Sequence, residues 1–205
     1  MPESIDTPAT PDAIFGKDAV VAALADHAAI QGLQNLITDA KWDRGELTLT
    51  VAPESIVQAC EAAKAAGYNF FEDLTGVDWY PAEPRFQLSY SLLSHRLKQR
   101  IRIVARLEGD TPTIDSITGV WPAANFYERE VFDLFGVTFG GHPRLTRIMM
   151  PDNWNGYPLR KDYPVEGYRY WLSTLQTSPP LRLRIRTRRA LSFRGVWTRS
   201  RPEQR

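Results

Sequence analysis

The sequence predicts an α+β fold: a small mixed or antiparallel sheet packed with helices, followed by a long irregular C-terminal extension. Three observations lead there. Helical and alternating apolar patterns succeed one another without repeat and without regular βαβ alternation. Two adjoining segments, Arg85 to Leu93 and Leu97 to Leu107, alternate apolar and polar residues across a short link, as a hairpin does. From Gly136 onward, glycines and prolines interrupt any long element, yet large apolar residues continue among them.

The totals suit one domain with tails. The chain has 205 residues, 43% hydrophobic and 24% charged, so a core of ordinary size is available. No apolar run approaches a membrane span. The first residues show no basic region leading into an apolar one, so no signal peptide is expected and the chain should stay in the cytoplasm. Cys60 is the single cysteine. A disulfide within the chain is therefore impossible, and an iron–sulfur cluster needs about four thiolates. Cys60 is expected to be a buried small apolar residue. The net charge of +1 hides an asymmetry, because nine arginines between Ser178 and Arg205 face only Glu203. That segment carries +8 and the remainder −7.

In order, residues 1–12 read as a flexible lead, with Pro2, Pro8 and Pro11 among small polar residues. Asp18 is expected to cap a helix running to about Ile30, with Val20, Val21, Leu24 and Ala28 at helical spacing. Glu46 to Val51 alternates as a half-buried strand. Pro53 opens a second helix, and Gly67 ends it as a left-handed cap. In the hairpin, Phe86, Leu88, Tyr90 and Leu92 face Ile101, Ile103 and Ala105, while Arg100, Arg102 and Arg106 share the other, solvated or partner-facing, side. Thr113 to Gly119 reads as a helical turn, and Pro122 opens a helix that ends near Gly136.

That last helix holds the unusual chemistry. Tyr127, Val131 and Leu134 form an apolar stripe, with Phe132 and Phe135 beside it. Arg129 and Asp133 are four apart and are expected to pair, with Glu130 on the adjoining face. If Glu128, Glu130 and Asp133 are buried they need partners, and Arg144, Arg147, Arg160 and Lys161 follow to supply them. A hydrogen-bonded ion-pair network is the expected role; catalysis or metal binding is disfavoured because no Glu-x-x-His pair accompanies the acids. His142, between Gly141 and Pro143, is expected to make a turn hydrogen bond. His27 and His95 read as helix-surface and hairpin-tip residues, with nothing to form a hydrolase triad. Gly140–Gly141 lacks the spacing of a phosphate loop or dinucleotide fingerprint, so no nucleotide is expected here. The irregular run beyond Gly136 carries Phe139, Leu145, Ile148, Met149, Met150, Trp154, Tyr157, Leu159 and Tyr163, and is expected to bury them on a partner's surface.

The ordered stretch Glu128–Arg129–Glu130, Phe132–Asp133–Leu134–Phe135–Gly136, Gly141–His142–Pro143, Arg147–Ile148, Pro151–Asp152, Trp154, Gly156 and Pro158 to Pro164 resembles the signature of the thirty-kilodalton subunit of respiratory complex I, the C subunit in bacteria. Trp121 to Asn125 extends the match, and Leu74 to Asp78 shows it more loosely. The resemblance implies a peripheral-arm component of a proton-translocating NADH–quinone oxidoreductase, without catalytic residues or cofactor of its own. FMN and iron–sulfur clusters would lie in partner subunits. The chain would pack chiefly on the quinone-site D subunit and near the cluster-bearing B subunit. It would sit peripherally on the cytoplasmic face of the bacterial inner membrane, touching the membrane only through the complex. The residues carried over as motif and interface are Glu128, Arg129, Glu130, Asp133, Gly136, His142, Pro143, Arg147, Asp152, Trp154, Arg160, Lys161, Asp162 and Tyr163.

The implied organisation is a lead at 1–12, a domain at 13–136, a docking segment at 137–175 and an Arg-rich, poorly ordered tail at 176–205. The tail departs from the family, as a lineage-specific arm or as GC-rich DNA read out of frame. Two rival readings stand beside this one. The equivalent subunit of a membrane-bound hydrogenase or other complex-I-like enzyme shares these modules. A nucleic-acid-binding protein would use the arginine tail, against which the acidic body argues.

Overall fold

The computed structural model describes residues 13–164. The lead at 1–12, the end of the docking segment and the tail at 176–205 lie outside the described residues. The elements are β1 (Ala13–Phe15), α1 (Lys17–Ala23), α2 (Ala28–Leu33), β2 (Ile37–Asp43), β3 (Glu46–Val51), α3 (Ile56–Ala65), β4 (Phe70–Asp78), β5 (Phe86–Ser94), β6 (Gln99–Leu107), β7 (Thr113–Asp115), α4 (Ala124–Phe135) and β8 (Thr138–Gly140). Six strands form one sheet in the order β1-β2-β3-β6-β5-β4, and β7 pairs with β8. In the large sheet β3 and β6 run parallel and the other pairs antiparallel. The architecture is the mixed, helix-packed α+β sheet that the sequence predicts.

The core follows from strand alternation. Leu47, Leu49 and Val51 lie in register with Ile101, Ile103 and Ala105. Those three in turn face Leu92, Tyr90 and Leu88 across β5, and all are buried. Cys60, on α3, is buried among them, and burial raises its thiol far above the ordinary range. On the opposite face, Arg100 pairs with Glu72 at 2.8 Å and Arg102 with Glu46 at 3.0 Å. These pairs are exposed and contribute little to stability. The arginine row is a solvated surface laced by cross-strand acids.

Several local expectations are corrected. The helix expected from Asp18 to about Ile30 is two helices, α1 and α2, broken at residues 24–27. Gly16 is the first N-cap and Asp18 lies within the first turn. His27 makes the second start possible, because its Nδ1 accepts the Ala29 N–H at 3.3 Å. It also stacks near Tyr68 at 6.5 Å, so it is not the surface residue expected, and burial pushes its imidazole pKa down. Thr113–Asp115 is a strand rather than part of a helical turn, because it finds a parallel partner in β8. Pro53 opens a short 3-10 turn leading into α3, and Gly67 adopts φ +105° just beyond it, as a left-handed cap does.

Strand β4 positions the site. It lies at the sheet edge beside β5, and α4 packs against it. Phe71 of β4 meets Trp121 and Tyr127 at 5.7 and 5.5 Å. The closest approach is at Gly76, where an added Cβ would come to 3.0 Å from the Phe135 ring. Gly76→Val is therefore expected to destabilise the chain by about 1–3 kcal/mol through overpacking. Urea unfolding against the wild type measures this, and an unchanged midpoint would contradict the packing described.

Candidate functional site

Helix α4 turns an unusual face inward. Ala124, Glu128, Val131 and Phe135 are buried at helical spacing, so an acid sits in the middle of the apolar stripe. Of the expected stripe Val131 is buried, whereas Tyr127 and Leu134 are only half-buried. The Glu128 carboxylate accepts from the Ser116 hydroxyl at 2.6 Å and from the Ile117 amide at 2.8 Å. Burial raises its pKa, which those two donors partly counter. The His142 side chain is buried beside it, with Nε2 3.9 Å from Glu128. His142 Nδ1 accepts the Arg144 amide at 3.0 Å, the turn hydrogen bond the sequence predicts. Its Nε2–H then donates to the Asn125 carbonyl, with nitrogen and oxygen 3.3 Å apart.

Asp133 anchors the following loop. One oxygen, Oδ2, accepts the successive amides of Ile148, Met149 and Met150 at 3.0, 2.7 and 2.8 Å. The other, Oδ1, pairs with Arg147 at 2.5 Å. Burial alone would raise the Asp133 pKa, but the Met150, Ile148 and Met149 amides and Arg147 outweigh it and hold it below the ordinary value. The expected Arg129–Asp133 pair is not formed. Arg129 instead donates to the carbonyls of Thr146 and Arg147 at 3.0 and 3.1 Å, because the loop brings Arg147 and three amides to the carboxylate first. Glu130 is exposed and joins none of these ties.

The end of α4 is closed by the chain that returns over it. Gly136 takes φ +75°, and a Cβ there would overlap the Tyr157 ring. The last helical carbonyls find donors: Arg147 for Asp133 at 3.1 Å, the Leu159 amide for Leu134 at 3.1 Å, and Arg160 Nε for Phe135 at 2.6 Å. Two of the donors are cations at a helix C-terminus, where the helix dipole favours positive charge. Arg160 also lies over the rings of Tyr157 and Phe86 at 4.7 and 5.1 Å.

A second clasp holds the same returning chain to the sheet. Arg85 is only 3% exposed and grips Asp78 through two bonds of 3.0 Å. It also reaches Asp162 at 2.7 Å and Asp110 at 2.8 Å. The Lys161 amide donates to Asp78 at 2.9 Å, so Lys161 serves through its backbone. Burial pushes Asp78 up, but Arg85 and the Lys161 and Tyr80 amides prevail and hold its pKa at about 2. Trp154 and Tyr163 stack at 6.5 Å, and the Tyr163 hydroxyl donates to Asn155 O at 3.3 Å. Pro143 and Asp152 are exposed.

The structure thus gathers Asp133, Gly136, Arg147, Arg160, Lys161 and Asp162 with Arg129 around the end of α4, and sets Glu128 with His142 in a separate buried group. Sequence reasoning does not single out Asp78 as a site residue, nor Arg85, Asp110, Ser116 or Tyr157. Asp78 carries a signal in the Leu74–Asp78 run and Tyr157 among the large apolar residues of the irregular run; the others carry none. Among the described residues no group of three or more His, Cys, Asp or Glu side chains is arranged to hold a metal ion. What this arrangement does chemically is saturate buried charge and fix backbone.

The family described as the respiratory-chain NADH dehydrogenase 30 Kd subunit matches residues 49–169. The chain belongs to that family. The C subunit of the NADH-quinone oxidoreductase from Geobacter metallireducens is 47% identical over 133 residues, which is 64% of this chain and 82% of that protein. The C subunit from Roseiflexus sp. is 45% identical over 125 residues, 60% of this chain and 72% of its own. A chain from the membrane-bound sulfane sulfur reductase, an archaeal respiratory membrane complex, superposes with a TM-score of 0.62 at 24% identity, covering 75% of this chain and 91% of that one. It shares the fold. The family match runs from β3 through the whole clasp, so the 30 Kd signature and the tied loop are the same stretch of chain.

Arg147→Ala leaves Asp133 buried with one charge unanswered and is expected to cost about 3–5 kcal/mol in urea unfolding; a loss under about 1 kcal/mol, the range of an exposed pair, would show the pair to be incidental. The pH dependence carries a definite sign. Asp78 and Asp133 have folded-state pKa values below their unfolded ones. Their contribution is complete above the unfolded value, about 4, and is lost as pH falls through the folded one. Stability is therefore expected to decline between about pH 4 and, for Asp78, about 2. Asp78→Asn should flatten that decline in acid titrations followed by circular dichroism, and an unaltered slope would argue against the assignment.

Proposed function

We propose that this chain is a structural component of the peripheral arm of a proton-translocating NADH–quinone oxidoreductase. It fixes the relative geometry of the quinone-site D subunit and the iron–sulfur B subunit, and itself holds no flavin, cluster or quinone. Its place is peripheral, on the cytoplasmic face of the bacterial inner membrane; no helix of the described residues is long and apolar enough to cross the bilayer. The observation that carries the reading is the use made of the family motif: Asp133, Arg129, Arg147, Arg160 and Asp162 each make side-chain bonds within the chain. Such residues shape a surface; they do not present a reactive group to a substrate. Membership in the 30 Kd family and the 47% identity to an NADH-quinone oxidoreductase C subunit support the choice of assembly.

The second reading is the equivalent subunit of another complex-I-like enzyme, such as a membrane-bound hydrogenase. The fold shared with the sulfane sulfur reductase chain keeps that reading open at the level of architecture. Affinity purification of the tagged chain from its native membranes, with mass spectrometry of what accompanies it, separates the two. Recovery of flavin and iron–sulfur subunits with NADH-oxidising activity supports the first, and recovery of hydrogenase subunits replaces it with the second. Arg129→Ala, which frees the Thr146 and Arg147 carbonyls, is expected to lower the yield of assembled complex several-fold. Turnover per assembled complex should be unchanged; a fall in turnover at normal yield would point to a direct part in electron transfer.

A further inference from the structure

His142 and Glu128 form the buried polar group that stands apart from the clasps, and the bonds of His142 require one proton state. Nδ1 must be bare to accept the Arg144 amide at 3.0 Å, and Nε2 must carry the proton to donate to the Asn125 carbonyl at 3.3 Å. A second proton can go only to Nδ1. There it sets a donor against the Arg144 N–H and ends that bond. Nε2 keeps Asn125, and the new cation lies 3.9 Å from the Glu128 carboxylate. Protonation thus exchanges a backbone tie for an ion pair, with the ring left in place.

The surroundings favour the exchange. Glu128 is fully buried, with the Ser116 hydroxyl and the Ile117 amide as donors. Burial still pushes its pKa up, so the carboxylate gains from a cation beside it. Cys60 of α3 and Tyr90 of β5 also face this charge, and burial raises both so far that they stay neutral. The Arg144 side chain is exposed to water, which screens its charge. His27 likewise accepts an amide through Nδ1, that of Ala29, but burial pushes its pKa down and keeps that cap closed. We propose that His142 and Glu128 are an acid-sensitive latch, in which proton uptake by the His142 ring releases the Arg144 backbone and ties the ring to Glu128. The release is confined. Leu145 packs on the core, and Arg129 grips the Thr146 and Arg147 carbonyls. The opening therefore spans Pro143 and Arg144 and leaves the Asp133 turn closed. This goes beyond the subunit reading and does not depend on it.

Millisecond amide exchange of the purified full chain tests this, with rates corrected for intrinsic exchange at each pH. Protection of the Arg144 amide is expected to fall about tenfold between pH ~8 and ~5, the range in which an imidazole takes up its proton. The Ile148, Met149 and Met150 amides should keep theirs, because Asp133 stays charged to below about pH 4. His142→Asn presents an oxygen to the same amide and takes up no proton, so Arg144 should stay protected throughout. Glu128→Gln removes the anion that holds the imidazolium and should move the loss to lower pH. Should either variant fail to fold, the wild type and the other variant decide. Arg144 protection that is constant in the wild type overturns the latch. So does a loss that His142→Asn shares, a midpoint that Glu128→Gln leaves in place, or a simultaneous loss at Ile148 to Met150, which would mark general loosening.

Discussion

A buried carboxylate must be answered from close by, and in this molecule that requirement falls on Asp133. Removing an ion from water costs several kcal/mol even after relaxation, so the fold must bring donors to it. Arg147 and three consecutive amides do so. Three amides of one turn can reach a single oxygen only if the backbone curls around it, so Asp133 sets the course of residues 147–150. Arg147, drawn in by the same charge, then reaches the Asp133 and Gly156 carbonyls and lies over Tyr157. One side chain on α4 therefore organises a stretch that has no regular secondary structure of its own.

The second clasp uses different chemistry for the same end. Arg85 is nearly enclosed, stacked 5.0 Å from Tyr80 and 4.8 Å from Phe86, and surrounded by Asp78, Asp110 and Asp162. Its planar fork grips Asp78 through two bonds while reaching Asp110 and Asp162, a geometry that a lysine's point charge does not reproduce. Between the clasps lies the C-terminal end of α4, whose Leu134 and Phe135 carbonyls are taken by Leu159 and Arg160. Gly136 permits the chain to leave the helix at positive φ with Tyr157 packed directly on it. The helix terminus, the sheet edge and the returning chain are thus one connected set of ties. Glu128 stands apart in sign: its raised pKa means its charge opposes folding as pH rises, whereas the charges of Asp133 and Asp78 favour it. Acids on a single helix do opposite work because their donors differ.

How far the sequence reveals this depends on whether the relevant interaction is local. Strands β3, β5 and β6 are legible because their alternation is unbroken. Strands β2 and β4 are not, since each carries a register shift, between Ile37 and Asp39 and between Phe71 and Asp73, that flips the alternation partway along. The turn at His142 and the helix end at Gly136 are local, and the residues around them suffice to read them. The ion pairs are not local: helical spacing favours Arg129 with Asp133, and only the returning loop reveals that Arg147 arrives first. Arg85 shows the same limit, since its partners lie seven, twenty-five and seventy-seven residues away. Periodicity finds faces, while long-range charge finds its partner only in three dimensions.

That last point changes where the irregular segment gains its order. By sequence alone, a run of glycines, prolines and aromatics calls for a partner's surface to bury it. In the structure Leu145 packs on the domain core, and Leu159, Arg160, Lys161 and Asp162 are bonded to α4, β4 and Arg85. Fixing a residue's backbone costs about 1–2 kcal/mol, so ordering such a segment only on contact would consume much of what an interface of ordinary size supplies. Contacts within the chain order the segment during folding instead. A subunit whose proposed work is to hold others in position gains from this arrangement, because a surface that is already fixed transmits its own geometry to whatever docks on it.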